Sequence, residues 1–258
     1  MESLCQKLSL VACLLVGCGQ GAQQEDLRPL ELQYLRSVVP EALLEYSHLE
    51  IAAREAVRIN DEAGKQSIEL SLSPEHGRKN RGNRAEVSVD FPFTQGETVR
   101  YEWQFMLPNE FSSDAPRNRW WLIAQWHDQP DRDHGKTWDD HPERSPSVAL
   151  SIGEDNETKE LVLALNYGIG TVRNFGPVPL KRGVWHNVAV VVTWSTTDSG
   201  RVVMYLDDMD KAILTAEGPN MHNSFQHYLK LGLYRHPEIM TRNSIHIRQL
   251  SIAKTEKP

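Results

Sequence analysis

"YLKLGLYRH", residues 228–236, decides how this chain is read. In an extended backbone, successive side chains point to opposite faces. Leu229, Leu231 and Leu233 then share one face, and Tyr228, Lys230, Gly232, Tyr234 and His236 share the other. The leucine face is a core face. The second face, with two phenols, an ammonium and an imidazole around a glycine, is too particular for a bland solvent face. The same period-two signal recurs in "SIELSLS" (67–73), "RAEVSVDF" (84–91), "TVRYEWQFML" (98–107), "WWLIAQWH" (120–127) and "SVALSIG" (147–153). It continues in "ELVLALNYG" (160–168), "WHNVAVVVTW" (185–194), "GRVVMYLDD" (200–208) and "SIHIRQLSIAK" (244–254). Short alternating runs, punctuated by Gly, Pro, Asn and Asp with no long helix between them, predict an antiparallel sandwich or barrel in one domain.

The chain of 258 residues suits one large all-β domain, and its formal charge of −7 argues against a nucleic-acid partner. Lys7 followed by "LSLVACLLVGC" (8–18) reads as an export signal, too short to span a bilayer. "LVGC" (15–18) looks like a lipobox with Cys18 as the lipidated residue, so the expected location is exported, either lipid-anchored or secreted. Membrane contact is expected only through that anchor. All three cysteines lie in this segment, which leaves the mature domain no disulfide and no thiol nucleophile. Residues 19–56 read as a tether and a lead-in, with short helices around Pro40. The β-domain is expected over 57–258, as a monomer.

Three strands converge on polar chemistry. In "NRAEVSVDF" (83–91), Ala85, Val87, Val89 and Phe91 make a core face, and Arg84, Glu86, Ser88 and Asp90 the other. In "WWLIAQWH", alternation puts Leu122, Ala124 and Trp126 on one face and Trp121, Ile123, Gln125 and His127 on the opposite one. Each face alone reads equally well as solvated cross-strand pairs; together with residues 228–236 they suggest one polar floor. "HGRKNRGNR" (76–84) brings Arg78, Lys79, Arg81 and Arg84 without an acid. It reads either as a solvated loop or as an electropositive rim for a polyanion, which Arg235 would extend. A guanidinium fork suits carboxylate geometry, so a uronic-acid polymer fits as well as a sulfated one. Trp120, Trp121 and Trp138 are candidate stacking platforms for sugar rings, and Trp126 reads as core.

"NRAEV", "AQWH" and "YLKLGLYRH" resemble, in order, the three signature strands of the jelly-roll polysaccharide lyases. In the alginate lyases these run roughly R-x-E-x-R, Q-[I/V]-H and Y-F-K-A-G-x-Y. The form "YLKLGLYR" is most similar to the glucuronan lyase and heparin lyase I branch. Two departures, Ser88 for the second arginine and Trp126 inside the Gln-x-His motif, speak against alginate. The resemblance implies a concanavalin A-like β-jelly-roll of two antiparallel sheets with a concave cleft. It also implies cleavage of a 4-linked uronic-acid polysaccharide by β-elimination.

In such a reaction a base removes the proton at C5, next to an already negative carboxylate, and the C4 oxygen leaves. The resemblance assigns Arg84, Gln125 and His127 to neutralising that carboxylate and Tyr234 to base and acid. A free phenol titrates near ~10, so a phenolate base at neutral pH needs about 4 kcal/mol of differential stabilisation from nearby cations. Glu86 is expected to orient Arg84, and Tyr228, Lys230, Arg78, Arg81, Arg235 and Trp121 to contact substrate. Gly232 would let a sugar ring lie on the sheet. For an epimer with H5 and O4 on opposite sides, His127 would instead be the base and Tyr234 the acid. No cofactor is required for this chemistry, and a structural Ca2+ is compatible with the resemblance. "HDQPDRDHGKTWDDH" (127–141) is either a solvated rim or a metal-binding loop. "GEDNETKE" (153–160) lacks the acid spacing of a retaining glucanase. The rival is a non-catalytic carbohydrate-binding module.

Overall fold

The computed structural model describes residues 28–80 and 82–256. The export segment with Cys18, most of the tether, and Arg81 lie outside the described residues. Among the described residues one α-helix, α1 (Arg28–Leu35), precedes fourteen strands. In chain order these begin with β1 (Ser47–Ile51), β2 (Val57–Glu62), β3 (Lys65–Leu72), β4 (Asn83–Val89) and β5 (Thr98–Met106). Next come β6 (Trp121–His127), β7 (Val148–Glu154), β8 (Leu161–Tyr167), β9 (Arg173–Leu180) and β10 (His186–Thr193). The last four are β11 (Arg201–Leu206), β12 (Leu214–Glu217), β13 (Tyr228–Arg235) and β14 (Asn243–Thr255).

They form two seven-stranded sheets, ordered β1-β4-β13-β6-β7-β8-β9 and β12-β11-β10-β5-β14-β3-β2. Every strand pair is antiparallel. The chain changes sheet repeatedly, at β1 to β2, β3 to β4, β4 to β5, β5 to β6, β9 to β10, β12 to β13 and β13 to β14, which is the jelly-roll winding. Among the described residues no helix is long and apolar enough to cross a membrane.

The inner faces make one core. Leu229, Leu231 and Leu233 of β13 and Ala85, Val87 and Val89 of β4 are all buried there. From the opposite sheet come Tyr101, Trp103 and Phe105 of β5 and Ile245 and Ile247 of β14. Trp126 is fully buried, its ring 5.2 Å from that of Tyr101 in an edge-on contact.

All ten expected strands are present, and four more join them. β1 is the one that matters. It pairs with β4 from Ser47 opposite Val89 to Ile51 opposite Ala85. The sandwich therefore begins ahead of the expected boundary at 57, inside the stretch read as lead-in. Leu35, Val38, Val39, Leu43 and Leu44 of that stretch pack into the core. β9 carries Pro177 and Pro179, which suit an edge strand and hide its period.

Gly232 has a backbone role rather than the expected one of seating a sugar. Its φ is +147°, and an added Cβ would collide with the Ala85 carbonyl oxygen and come 2.8 Å from Glu86 Cα. It sits where the β13–β6 register shifts between Leu231 and Tyr234. Gly232→Ala is expected to lower stability by about 1–3 kcal/mol, read as the midpoint of urea unfolding. A sugar-seating glycine would instead raise KM and leave the midpoint unchanged.

Candidate active site

A cleft of about 1260 Å³ opens on the outer face of the first sheet. Its floor is built from β4, β13 and β6, which lie side by side. Register sets the neighbours. Tyr234 faces Arg84 on one side and Leu122 on the other, Lys230 faces Ser88 and Gln125, and Tyr228 faces His127. Arg84, Gln125, His127, Tyr228, Lys230 and Tyr234 all line this cleft. The set is spread along β13: Tyr234 and Tyr228 are six residues apart, roughly 20 Å of extended chain. Arg84 stands at the Tyr234 end and His127 at the Tyr228 end.

Tyr234 is held on three sides. The Arg84 guanidinium lies 4.1 Å from its ring centroid. Trp120 packs edge-on at 4.7 Å. Gly82 lies so close that an added Cβ would run into the Tyr234 ring. Trp138 is exposed and meets Tyr228 edge-on at 6.5 Å, so an indole stands near each end of the cleft.

Under the cleft lies a buried quartet of charges. Glu50 from β1 takes Lys230 Nζ at 2.7 Å on one oxygen and Arg84 Nη1 at 3.1 Å on the other. Asn80 also donates to Glu50, at 3.0 Å. Glu86 lies 3.5 Å from Arg84 Nη1 and accepts from Gln125 Nε2 at 2.6 Å. Since Glu86 is on β4 and Gln125 on β6, that bond spans β13 beside side-chain-less Gly232. Burial works against the charge on Glu50, but His48, Lys230 and Arg84 outweigh it and hold the carboxyl well below its usual range. Glu86, wholly buried, is pushed up by desolvation more than Lys230 and Arg84 pull it down. Burial also opposes the charge on Arg84, and Glu86, Glu50 and the Tyr234 oxygen hold it above its ordinary value. Tyr228 is pushed far up by burial and by the two glutamates, so it remains a phenol and a donor.

The histidines differ in what surrounds them. His127 Nδ1 is 2.8 Å from the Asp128 carbonyl oxygen and 3.1 Å from Asp128 Oδ1; its Nε2 is 3.2 Å from the Arg144 carbonyl oxygen. Both nitrogens face acceptors, an inventory satisfied by two N–H groups. His227 is the opposite case. Its Nδ1 donates to the Phe225 carbonyl and its Nε2 accepts from the His222 amide, which is the pattern of a neutral ring. Desolvation pushes His227 down to about 3.

Three expected contacts, Trp121, Arg235 and Arg78, lie elsewhere. Trp121 and Arg235 are both buried on the core side, with the Arg235 guanidinium 5.1 Å from the Trp121 ring. Arg235 follows the leucines, as strict alternation requires, and burial lowers its pKa to about 10. Trp121 is turned inward by the irregularity in β6, where pairing with β7 shifts between Leu122 and Ala124. Upstream of that shift Trp121 is buried and Leu122 lines the cleft; downstream Gln125 and His127 line it as expected. Arg78 is exposed on its loop and does not line the cleft, although Asn80 of the same loop does. Glu50 and Asp128 were missed. Alternation of Ser47, Leu49 and Ile51 against His48 and Glu50 was the available signal for the first.

Two outcomes are expected. Glu50→Gln leaves two buried cations with one carboxylate and should cost roughly 3–5 kcal/mol in chemical denaturation. His227 is depressed in the folded state, so its contribution to stability is present above about 6.5 and is lost as pH falls toward about 3. His227→Gln should flatten that acid limb in melting curves taken across the window; an unchanged slope would assign the acid sensitivity elsewhere.

No curated protein sequence matches the chain. Among solved structures, an endo-β-1,4-glucuronan lyase from Trichoderma reesei superposes with a TM-score of 0.55 at 14% identity, covering 81% of this chain and 95% of that one. A family 7 alginate lyase, A1-II', gives 0.57 at 10% identity, covering 85% and 99%. The catalytic domain of a glycoside hydrolase family 131 protein from Coprinopsis cinerea gives 0.51 at 11%, covering 82% and 84%, so the shared architecture does not fix the reaction. The sequence model of one family, described as polysaccharide lyase, matches residues 47–251, from the first residue of β1 into β14. The chain belongs to the polysaccharide lyase family.

Proposed function

We propose that this lyase cleaves a 4-linked uronic-acid polysaccharide, glucuronan-like, by β-elimination, with Tyr234 as base and acid. The observation that carries the proposal is the Arg84 guanidinium 4.1 Å from the Tyr234 ring centroid, on the cleft floor. That is the cation a phenolate needs, and Arg84 also lines the cleft that an incoming carboxylate would enter. Tyr234 takes H5, the C5–H electrons form the C4=C5 double bond, and the C4–O4 bond breaks. The departing O4 receives the proton from Tyr234. Arg84, beside Tyr234, neutralises the carboxylate of the reacting uronate as charge builds on it, while Gln125 and His127, further along the floor, receive neighbouring uronates of the same polymer.

The surroundings of His127 favour the tyrosine over the histidine as base. A base needs a lone pair free to meet H5, and both His127 nitrogens are turned to oxygens. On this reading a single group on one side of the ring, Tyr234, takes and returns the proton. That geometry suits glucuronate or mannuronate, where H5 and O4 lie on the same side. The leader sequence with its lipobox supports export, with attachment through Cys18.

Absorbance of the unsaturated product, followed across a panel of uronic-acid polymers, tests the reading. Tyr234→Phe should lose about 10²–10⁴-fold in kcat with binding retained. Full activity in that variant would overturn the mechanism. Cleavage confined to polymers of the opposite C5 configuration would return the base role to His127. Binding without turnover on every polymer would favour the non-catalytic module.

A further inference from the structure

The end of β6 and the loop that follows it carry a constellation of which the elimination uses only His127. Asp128, directly after His127, is fully buried. Its Oδ1 lies 3.1 Å from His127 Nδ1, and its Oδ2 lies 3.2 Å from His141 Nε2, on a side chain only 8% exposed. One donor atom from each of the three residues lies within 4.8 Å of the others. Asp128 Oδ1 and His141 Nε2 both lack a hydrogen-bond partner of acceptable geometry. Buried polar atoms that converge without bonding are costly unless something sits between them. For metal–ligand bonds of about 2.0–2.1 Å, the edges of a tetrahedron measure about 3.3–3.4 Å, close to the two separations seen.

We propose that His127, Asp128 and His141 form a site for one divalent transition cation of the zinc type. Two imidazoles and a carboxylate are borderline donors, suited to zinc or cobalt and poorly suited to calcium or magnesium. The two histidines line the cleft, so the remaining coordination position faces solvent or substrate. Arg144 Nη1, 3.3 Å from Asp128 Oδ2, is the resident cation that the metal must share or displace. The metal would occupy the Nδ1 position of His127 and tie the end of β6 to the middle of the loop at His141. On the functional reading above, it would also take the imidazole away from the uronate, making zinc a reversible inhibitor.

Titration of chelator-treated protein with Co2+ tests the site without reference to turnover. Visible ligand-field absorption saturating at one cobalt per chain, and displaced by Zn2+, is expected. His141→Ala should lose it, while His134→Ala, exposed on the same loop and paired with Asp131, should keep it. Circular dichroism checks that both variants fold. No absorption in the parent protein, or a band that survives His141→Ala, would overturn the site. Zn2+ should suppress turnover of the parent and not of His141→Ala; equal suppression of both would overturn the inhibitory role. A protein inactive on every polymer but giving the cobalt band would leave the site standing and count against the functional reading alone.

Discussion

Two carboxylates and two cations share the buried floor beneath the cleft, and the rest of the site depends on their staying together. Glu50, Arg84, Lys230 and Glu86 come from three strands, β1, β4 and β13, and Gln125 adds a fourth from β6. Any one of these charges alone at such depth would carry a heavy desolvation cost; together they cancel. The network fixes where Arg84 lies, and Arg84 in turn braces the face of Tyr234. The lateral order of strands in one sheet is thus translated into the position of a phenol.

Irregular backbone adjusts what regular alternation would otherwise dictate. The register shifts beside Leu122 and beside Gly232 reset which side chains face the cleft. They send Trp121 inward, where it stacks with Arg235, and they keep Gln125 within reach of Glu86 across the intervening strand. Such resets are local and leave the core leucines of β13 in place.

Much of this was legible from residues alone. Period-two patterning located ten strands, and the faces of residues 84–90 and 228–234 were assigned correctly because both strands keep alternation where their polar residues lie. The resemblance of three short motifs led to the family. What escaped reading has physical reasons. A bulge leaves little trace in a run as uniformly apolar as "WWLIA", so Trp121 was placed on the wrong face. Arg235 reads as a rim residue because arginines are rarely fully buried, although alternation groups it with Leu229, Leu231 and Leu233. Glu50 sits in a five-residue edge strand whose pattern is too short to stand out against the helical spacing before it. Asp128 looks like one acid among several in a polar loop, and only the fold shows that it is the buried one.

The cleft floor carries its own counter-ions, and this shapes what it can hold. A small free acid arriving there meets cations already matched to Glu50 and Glu86, and offers little to justify separating them. On the proposed reading, a long uronate chain brings stacking on Trp120 and Trp138 and repeated acidic groups, enough to insert one of its carboxylates into the lattice. If the proposed substrate is right, the resident glutamates act as a threshold that favours polymers over small acids.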